Sequence, residues 1–467
     1  MRLLLSIVVI IIFSLKATSQ KNVSTSPNNE LYQIAEDQIQ QLFRARGLSD
    51  GEILPFLEQY RDKNILSDND LAALLNKIYP SNYGIGVILY FFNNDTLQRV
   101  FLEPGKAIEH EWFAIKKEEI LQTINDINIA LKLKERSGNR APKKRGLILE
   151  NEKTTKPVTY KEAIDKASTL LIPKSFNEKF KHLLIIPALN IGTLPFALLK
   201  PFKKEKLLID QCSYTIVPSL ADLIILRTRV LKNKNFQIDM NKPFDTLSNK
   251  RFLSQKFELE KGIFLSNPTY PVNTDFVFPD LPGTKKEVTV AKNYVKYPKV
   301  FEGPKAIKDS IIKYMTWKEN DILYFATHGI ADEKEPLDKS FLVLSGNNPF
   351  LTAREIVDFR KADSLRFGFP PLVILSACQT GLGKAMEAGI LGLARGFLIS
   401  GSHHVIMSLW NVDDNATAYL MNRFMYHLKN PNLFSPSEPL RLAMLDTRKK
   451  YPDPLLWSSF SLFGIDY

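Results

Sequence analysis

Leu372-Val373-Ile374-Leu375-Ser376-Ala377-Cys378-Gln379-Thr380-Gly381 is the stretch on which the reading of this chain turns, with Ile322-Leu323-Tyr324-Phe325-Ala326-Thr327-His328-Gly329 as its counterpart. Each is a short apolar run that releases a chemically capable side chain and then a glycine. Runs of this length, followed by turn residues, read as buried strands. Leu183–Ile186, Tyr214–Val217, Ile263–Ser266 and Val405–Ser408 read the same way, and helical segments separate most of them. Near-continuous apolar strands alternating with helices predict an α/β fold around a buried, mostly parallel sheet. In such a sheet, chemistry gathers beyond the carboxyl ends of the strands. His328 and Cys378 leave two candidate central strands at that end, 50 residues apart, with room between them for a strand, a helix and a return.

Upstream, Gly86–Phe92 predicts a strand, Asn93-Asn94-Asp95 a turn and Leu97–Leu102 the returning hairpin partner. Lys116–Lys134 predicts a long amphipathic helix, with Ile120, Leu121, Ile124, Ile127 and Leu131 on one side. Residues 135–157 are polar and basic. They are expected to form a surface loop, with Lys143-Lys144-Arg145 as the preferred site for a proteolytic nick. Residues 20–80 predict a polar linker and a small helical segment. That segment is too short for a tetratricopeptide array, which needs three or more units of about 34 residues. Residues 1–19 read as an export signal, with Arg2, the apolar stretch Leu3–Leu15 and small residues at Ala17-Thr18-Ser19, so cleavage is expected before Gln20. The apolar stretch falls short of the roughly 20 residues of a membrane span. No permanent span is therefore expected, and the protein is expected to be exported, to the periplasm or the extracellular space.

Composition narrows the function classes. Of 467 residues, 45% are hydrophobic and 24% charged, which excludes wholesale disorder. Two cysteines exclude a disulfide scaffold and a cysteine-rich zinc site. The formal charge of +12 would suit a nucleic-acid binder. Yet the basic residues are scattered, and no aromatic-basic motif accompanies their short runs, so no specific nucleic acid is expected. Gly381-Leu382-Gly383-Lys384 lacks the spacing and the following Ser or Thr of a phosphate loop. No metal and no cofactor are expected. Cys212, in Asp210-Gln211-Cys212-Ser213-Tyr214, has no neighbouring His or glycine turn and reads as structural. His403 and His404 read as surface or loop residues, since neighbours on a strand face opposite ways and cannot readily share a metal.

The chain resembles the CHAT family, caspase-like peptidases often attached to tetratricopeptide repeats. Several ordered blocks carry the resemblance: Leu194-Pro195-Phe196-Ala197-Leu198-Leu199, Leu281-Pro282-Gly283, Tyr324-Phe325-Ala326-Thr327-His328-Gly329 and Leu375-Ser376-Ala377-Cys378-Gln379-Thr380-Gly381-Leu382-Gly383. Gly389–Phe397, Ser408–Thr417 and Trp457–Gly464 follow in the family's order. The resemblance implies a caspase-like three-layer sandwich with a mostly parallel central sheet over residues 86–467, plus the short N-terminal helical segment. Two departures stand out. Glu387-Ala388-Gly389 replaces the family's usual Gly-Glu-Gly, and the loop before it is short.

By resemblance, Cys378 is the nucleophile and His328 the acid/base of a cysteine endopeptidase. The chemistry suits the residue types. An unperturbed thiol has a pKa of about 8.5, so an imidazole must take its proton and later protonate the leaving amine. The resemblance assigns the oxyanion donors to the backbone N–H groups of Gly329 and Cys378. A glycine there lets the substrate approach the backbone closely.

Relatives in the wider clan include caspases, which take an acidic residue at P1, and gingipains and separase, which take a basic one. A basic P1 side chain wants a carboxylate in its pocket, and Asp413 and Asp414 are the candidates. Either could equally cap the helix that starts near Asn415. The expected partners are a protein or peptide substrate, bound as an extended strand, and a protein activator. The alternative reading is a caspase-like binding or signalling module with little catalysis, because fold alone does not decide function.

Overall fold

The computed structural model describes residues 79, 83–131, 143–144, 158–189, 191–203, 205–220, 222–223, 259–272, 274–315, 320–332, 335–362, 369–378, 385–386, 389–390, 392–410, 413–430, 433 and 435–465. The export signal and the N-terminal helical segment read from the sequence lie outside the described residues.

The first described elements are β1 (Ile85–Asn93), β2 (Thr96–Leu102) and β3 (Glu109–Ala114), followed by α1 (Lys117–Ala130). Between β1 and β2, Asn94 and Asp95 take φ of +46° and +53°, the left-handed backbone that a tight hairpin needs and that Asn and Asp tolerate. β4 (Lys143–Lys144), α2 (Tyr160–Leu171), β5 (His182–Ile186) and β6 (Ser213–Ile216) come next. Thr159 and Glu162 form a reciprocal capping box that starts α2. Then follow β7 (Lys261–Pro268), β8 (Phe276–Val277), α3 (Pro282–Ala291), β9 (Tyr297–Gly303), β10 (Ile322–Ile330), β11 (Phe341–Val343) and β12 (Phe350–Thr352). The last part holds α4 (Ala353–Ala362), β13 (Leu372–Cys378), β14 (Ala385–Met386), β15 (Gly389–Ile390), α5 (Leu393–Ser400), β16 (His404–Ser408), α6 (Asp414–Leu428), α7 (Ser437–Lys450) and β17 (Phe460–Gly464).

Thirteen of these strands form one sheet, with β9, β7, β10, β13 and β16 all parallel to one another. β17 then runs antiparallel to β16 and parallel to β6, which pairs in parallel with β5, as β5 does with β1. The sheet therefore has two parallel blocks of opposite direction joined at the β16–β17 pair, with antiparallel strands β2 and β3 beyond β1 and β11 and β12 beyond β10. All nine residues of β10 are buried, which explains why its sequence reads as an unbroken apolar run rather than an alternation.

Neighbouring residues of β10 show what covers each face. Tyr324 bonds to Glu287 of α3, while Phe325 packs its ring against Phe397 of α5 at 6.1 Å. Successive strand residues point to opposite faces, so α3 and α5 lie on opposite sides of the sheet. This is the three-layer α/β sandwich expected from the sequence.

Two local readings need correction. His404 is not a surface residue: it opens β16, is buried, and its Nδ1 lies 2.8 Å from the Ile465 carbonyl oxygen. The described part of the basic loop is not free coil either. Lys143 and Lys144 pair antiparallel with Val277 and Phe276, backbone to backbone.

Candidate active site

The parallel ladder between β10 and β13 runs from Ile322–Leu372 to His328–Cys378. His328 and Cys378 are thus side by side at the same level of neighbouring strands, whose backbones lie roughly 4.8 Å apart. Both strands arrive there for a local reason: each is a largely apolar run that delivers a chemically capable side chain near its carboxyl end. On the other side of β13, the ladder with β16 stops at Leu375–Met407. Ser376, Ala377 and Cys378 therefore overhang β16, with a ladder partner only on the β10 side among the described residues. β10 changes partner at the same level, since Gly329 and Ile330 pair with Leu342 and Phe341 of β11. The Thr327 hydroxyl donates to the Val343 carbonyl at 2.6 Å and fastens that exchange.

His328 is buried, and its imidazole is held from one end. Nε2 lies 2.6 Å from the Pro279 carbonyl oxygen. A carbonyl can only accept, so Nε2 carries the proton and Nδ1 presents a lone pair. Nδ1 is buried with no hydrogen-bond partner among the described residues. The rings of Tyr270 and Phe278 pack on the imidazole at 4.7 and 5.6 Å between centroids. Burial pushes the His328 pKa down to about 4, against the opposing influence of the Pro279 bond and Asp280. The imidazole is therefore neutral at physiological pH, which is the form that can accept a proton. The clamp residues Tyr270, Phe278 and Pro279 carried no signal in the sequence beyond their nearness to Leu281-Pro282-Gly283.

Asp413 and Asp414 separate into two environments. Asp413 is exposed and caps α6, with its Oδ1 accepting from the backbone N–H groups of Asn415 at 2.9 Å and Ala416 at 3.1 Å. Asp414 is half-buried in the first turn of α6, pressed against α3. A Cβ added at Gly283 would lie 2.0 Å from Asp414 Oδ2, so only glycine permits this approach.

Glu287 of α3 was missed by sequence reasoning because it sits in an ordinary amphipathic helix. It is 4% exposed, accepts from the Tyr324 hydroxyl and is hydrogen-bonded to Ser376. Burial pushes its carboxyl up to about 7, and the charge of Asp414 adds to the shift. Cys212 is a free, fully buried thiol whose pKa burial drives far up. It immediately precedes β6 and belongs to the main hydrophobic core. Among the described residues no cluster of His, Cys, Asp and Glu could hold a metal ion, and no helix is long and apolar enough to cross a membrane.

Comparison with known proteins agrees with this architecture. The family described as "CHAT domain" matches residues 161–465, most of the chain. Tetratricopeptide repeat protein 28 of Mus musculus is 29% identical over 116 residues, and its Homo sapiens counterpart 30% identical over 106. These matches cover 25% and 22% of this chain, and each spans only 4% of the relative's length. In structure, the chain is similar to separase in the Saccharomyces cerevisiae separase–securin complex, with a TM-score of 0.50 and 12% identity, covering 93% of this chain and 33% of separase's.

Proposed function

The chain belongs to the CHAT domain family, and we propose that it is a cysteine endopeptidase working through Cys378 and His328. Its fold is that of caspase-like cysteine peptidases. The observation that carries the proposal is the paired register of the two residues, combined with an imidazole held at Nε2 and left without a described partner at Nδ1.

In this mechanism the Cys378 thiol gives its proton to Nδ1 of His328. The thiolate adds to the scissile carbonyl, and the imidazolium then protonates the leaving amine. Water hydrolyses the thioester and regenerates the thiol. The Pro279 carbonyl keeps the ring in the tautomer that exposes Nδ1, and it favours the imidazolium once formed. The rings of Tyr270 and Phe278 exclude water, so the resting histidine is neutral and ready to accept. The N–H groups of Gly329 and Cys378 receive the oxyanion, at the level where β13 overhangs β16 and β10 changes partner. Asp414 is the better placed of the two aspartates for a pocket that takes a basic P1 residue, since Asp413 spends its carboxylate on the helix cap.

The test is covalent labelling by peptidyl acyloxymethyl ketones with Arg, Lys or Asp at P1, under reducing conditions. Wild type labels, Cys378→Ala does not, and His328→Ala labels about 100-fold or more slowly. Reduced wild type that no probe labels would favour the binding-module reading instead.

A further inference from the structure

One row back from the dyad, the same face of the sheet carries polar groups that bond cleavage does not use. The registers align Ser266 with Ala326 and Ala326 with Ser376, across β7, β10 and β13. Phe264 stacks on its register partner Tyr324 at 5.6 Å, so paired residues of β7 and β10 share a face. Tyr324, Ala326 and His328 alternate onto that face, and Ser266 joins them there. Between the level of His328 and the carboxyl of Glu287, this face therefore presents a serine, an alanine and a serine. The side chains in this row are small, and two of the three are polar.

The donors and acceptors along this row are unequally satisfied. Ser376 and Tyr324 both bond to Glu287. Ser266 is 1% exposed, and its hydroxyl has no partner among the described residues. A buried hydroxyl left this way calls for an explanation, and a ligand group that completes it is one. Glu287 still has acceptor capacity, because a carboxylate offers about four lone-pair directions. Asp414 brings a second carboxylate to the same helix through its close approach at Gly283. An acidic P1 side chain would meet two carboxylates there. An apolar one would leave the Ser266 hydroxyl unpaired.

We propose that Glu287 is the carboxylate at the base of the pocket for a cationic P1 side chain, with Ser266 and Ser376 along its wall and Asp414 as the second negative charge. The proposal rests on the peptidase reading above, which supplies the cleft. Ser376 lies two residues back from Cys378, about 6–7 Å along the strand, a length that an arginine or lysine side chain spans.

A cation beside Glu287 would lower its pKa, so binding releases a proton when the pH is below about 7. The groups facing Glu287 are Tyr324 from β10, Ser376 from β13 and Asp414 from α6, while Lys286 on its own helix reaches Asn415 at 3.4 Å.

The experiment is calorimetric titration of the full chain carrying Cys378→Ala, which cannot consume its ligand. The ligands are acetyl-Ala-Ala-Arg-amide and its norleucine and aspartate counterparts, at pH 6 and pH 8, in two buffers of different ionisation enthalpy. The Arg peptide should bind about tenfold more tightly at pH 8 than at pH 6, releasing a proton at the lower pH. Adding Glu287→Gln should weaken it at least tenfold and abolish proton release, with an unchanged melting curve or a higher melting temperature. Absence of Arg-peptide binding would overturn the proposal. So would equal binding of the norleucine peptide, or proton release that survives Glu287→Gln. Ketone labelling of the wild type separates the two readings. Glu287-dependent binding without labelling would sink the peptidase and leave the pocket; labelling without such binding would do the reverse.

Discussion

The two halves of the sheet each bury a histidine, each is joined by a buried arginine, and they treat them differently. His182 opens β5 in the half formed by β1, β5 and β6, with Nδ1 2.8 Å from the Ser213 hydroxyl and Nε2 3.2 Å from that of Thr215. His328 lies near the carboxyl end of β10 in the other half, with one nitrogen bound and the other without a described partner. Burial lowers both, His182 to about 3 and His328 to about 4, so the size of the shift does not separate the proposed catalytic histidine from the internally bonded one. Hydrogen-bond satisfaction and position do.

The arginines repeat the pattern. Arg99 bonds to Glu111 and to the carbonyls of Thr169 and Leu170. Arg395, fully buried on α5, has Asp222 at 3.4 Å and no hydrogen bond among the described residues. The histidine and arginine of the first half are satisfied internally, whereas those of the second keep polar atoms without a partner among the described residues.

This contrast can be broken most sharply at His182. His182→Ala removes a packed ring and the described partner of the Thr215 hydroxyl, while the Ser213 hydroxyl keeps the Lys181 carbonyl, so it should cost about 2–4 kcal/mol by urea unfolding. Ketone labelling of the surviving folded protein should stay within about twofold of wild type. A large loss of labelling would show that the two halves are not functionally separate.

A smaller effect comes from the buried acid. Glu287 is raised to about 7 in the fold from 4.5, so the folded chain binds more protons over that interval and stability falls as pH rises through it. His328 and His182, both lowered, act oppositely: their contribution is lost as pH falls from 6.5 towards 4 and 3. Glu287→Gln should therefore be more stable than wild type by about 3 kcal/mol at pH 8, with the difference falling to about 1 kcal/mol or less at pH 5. Unfolding curves at both pH values check this, and a pH-independent difference would mean that the carboxyl is not buried as a neutral acid.

The smallest expected effect is at the rim. Asp413→Ala removes the cap of α6 and should cost about 1 kcal/mol, with the ratio of Arg to Asp probe labelling unchanged. A changed ratio would return Asp413 to the pocket.

Much of the frame was legible from composition and pattern. The apolar run Ile322–Ala326 became the core of β10, and Leu372–Ser376 that of β13, because a strand buried on both faces must be apolar at successive positions. The Asn93-Asn94-Asp95 turn was equally readable, since positive φ has few residue types to choose from. His404 was misjudged because its partner, the Ile465 carbonyl, lies 61 residues away and across the antiparallel β16–β17 join. The clamp on His328 was invisible for the same reason.

By itself, the sequence determined the α/β class, the strand ends at which His328 and Cys378 appear, and the family. Those properties depend on periodicity and on short motifs, which act locally along the chain. Only the tertiary structure decided that these two residues share one register level, that Pro279 holds one nitrogen of the imidazole, and that Glu287 lies under the same face. Each of those facts is a meeting between segments that are distant in sequence. Strand pairing and burial, rather than any residue's own preference, select which segments meet.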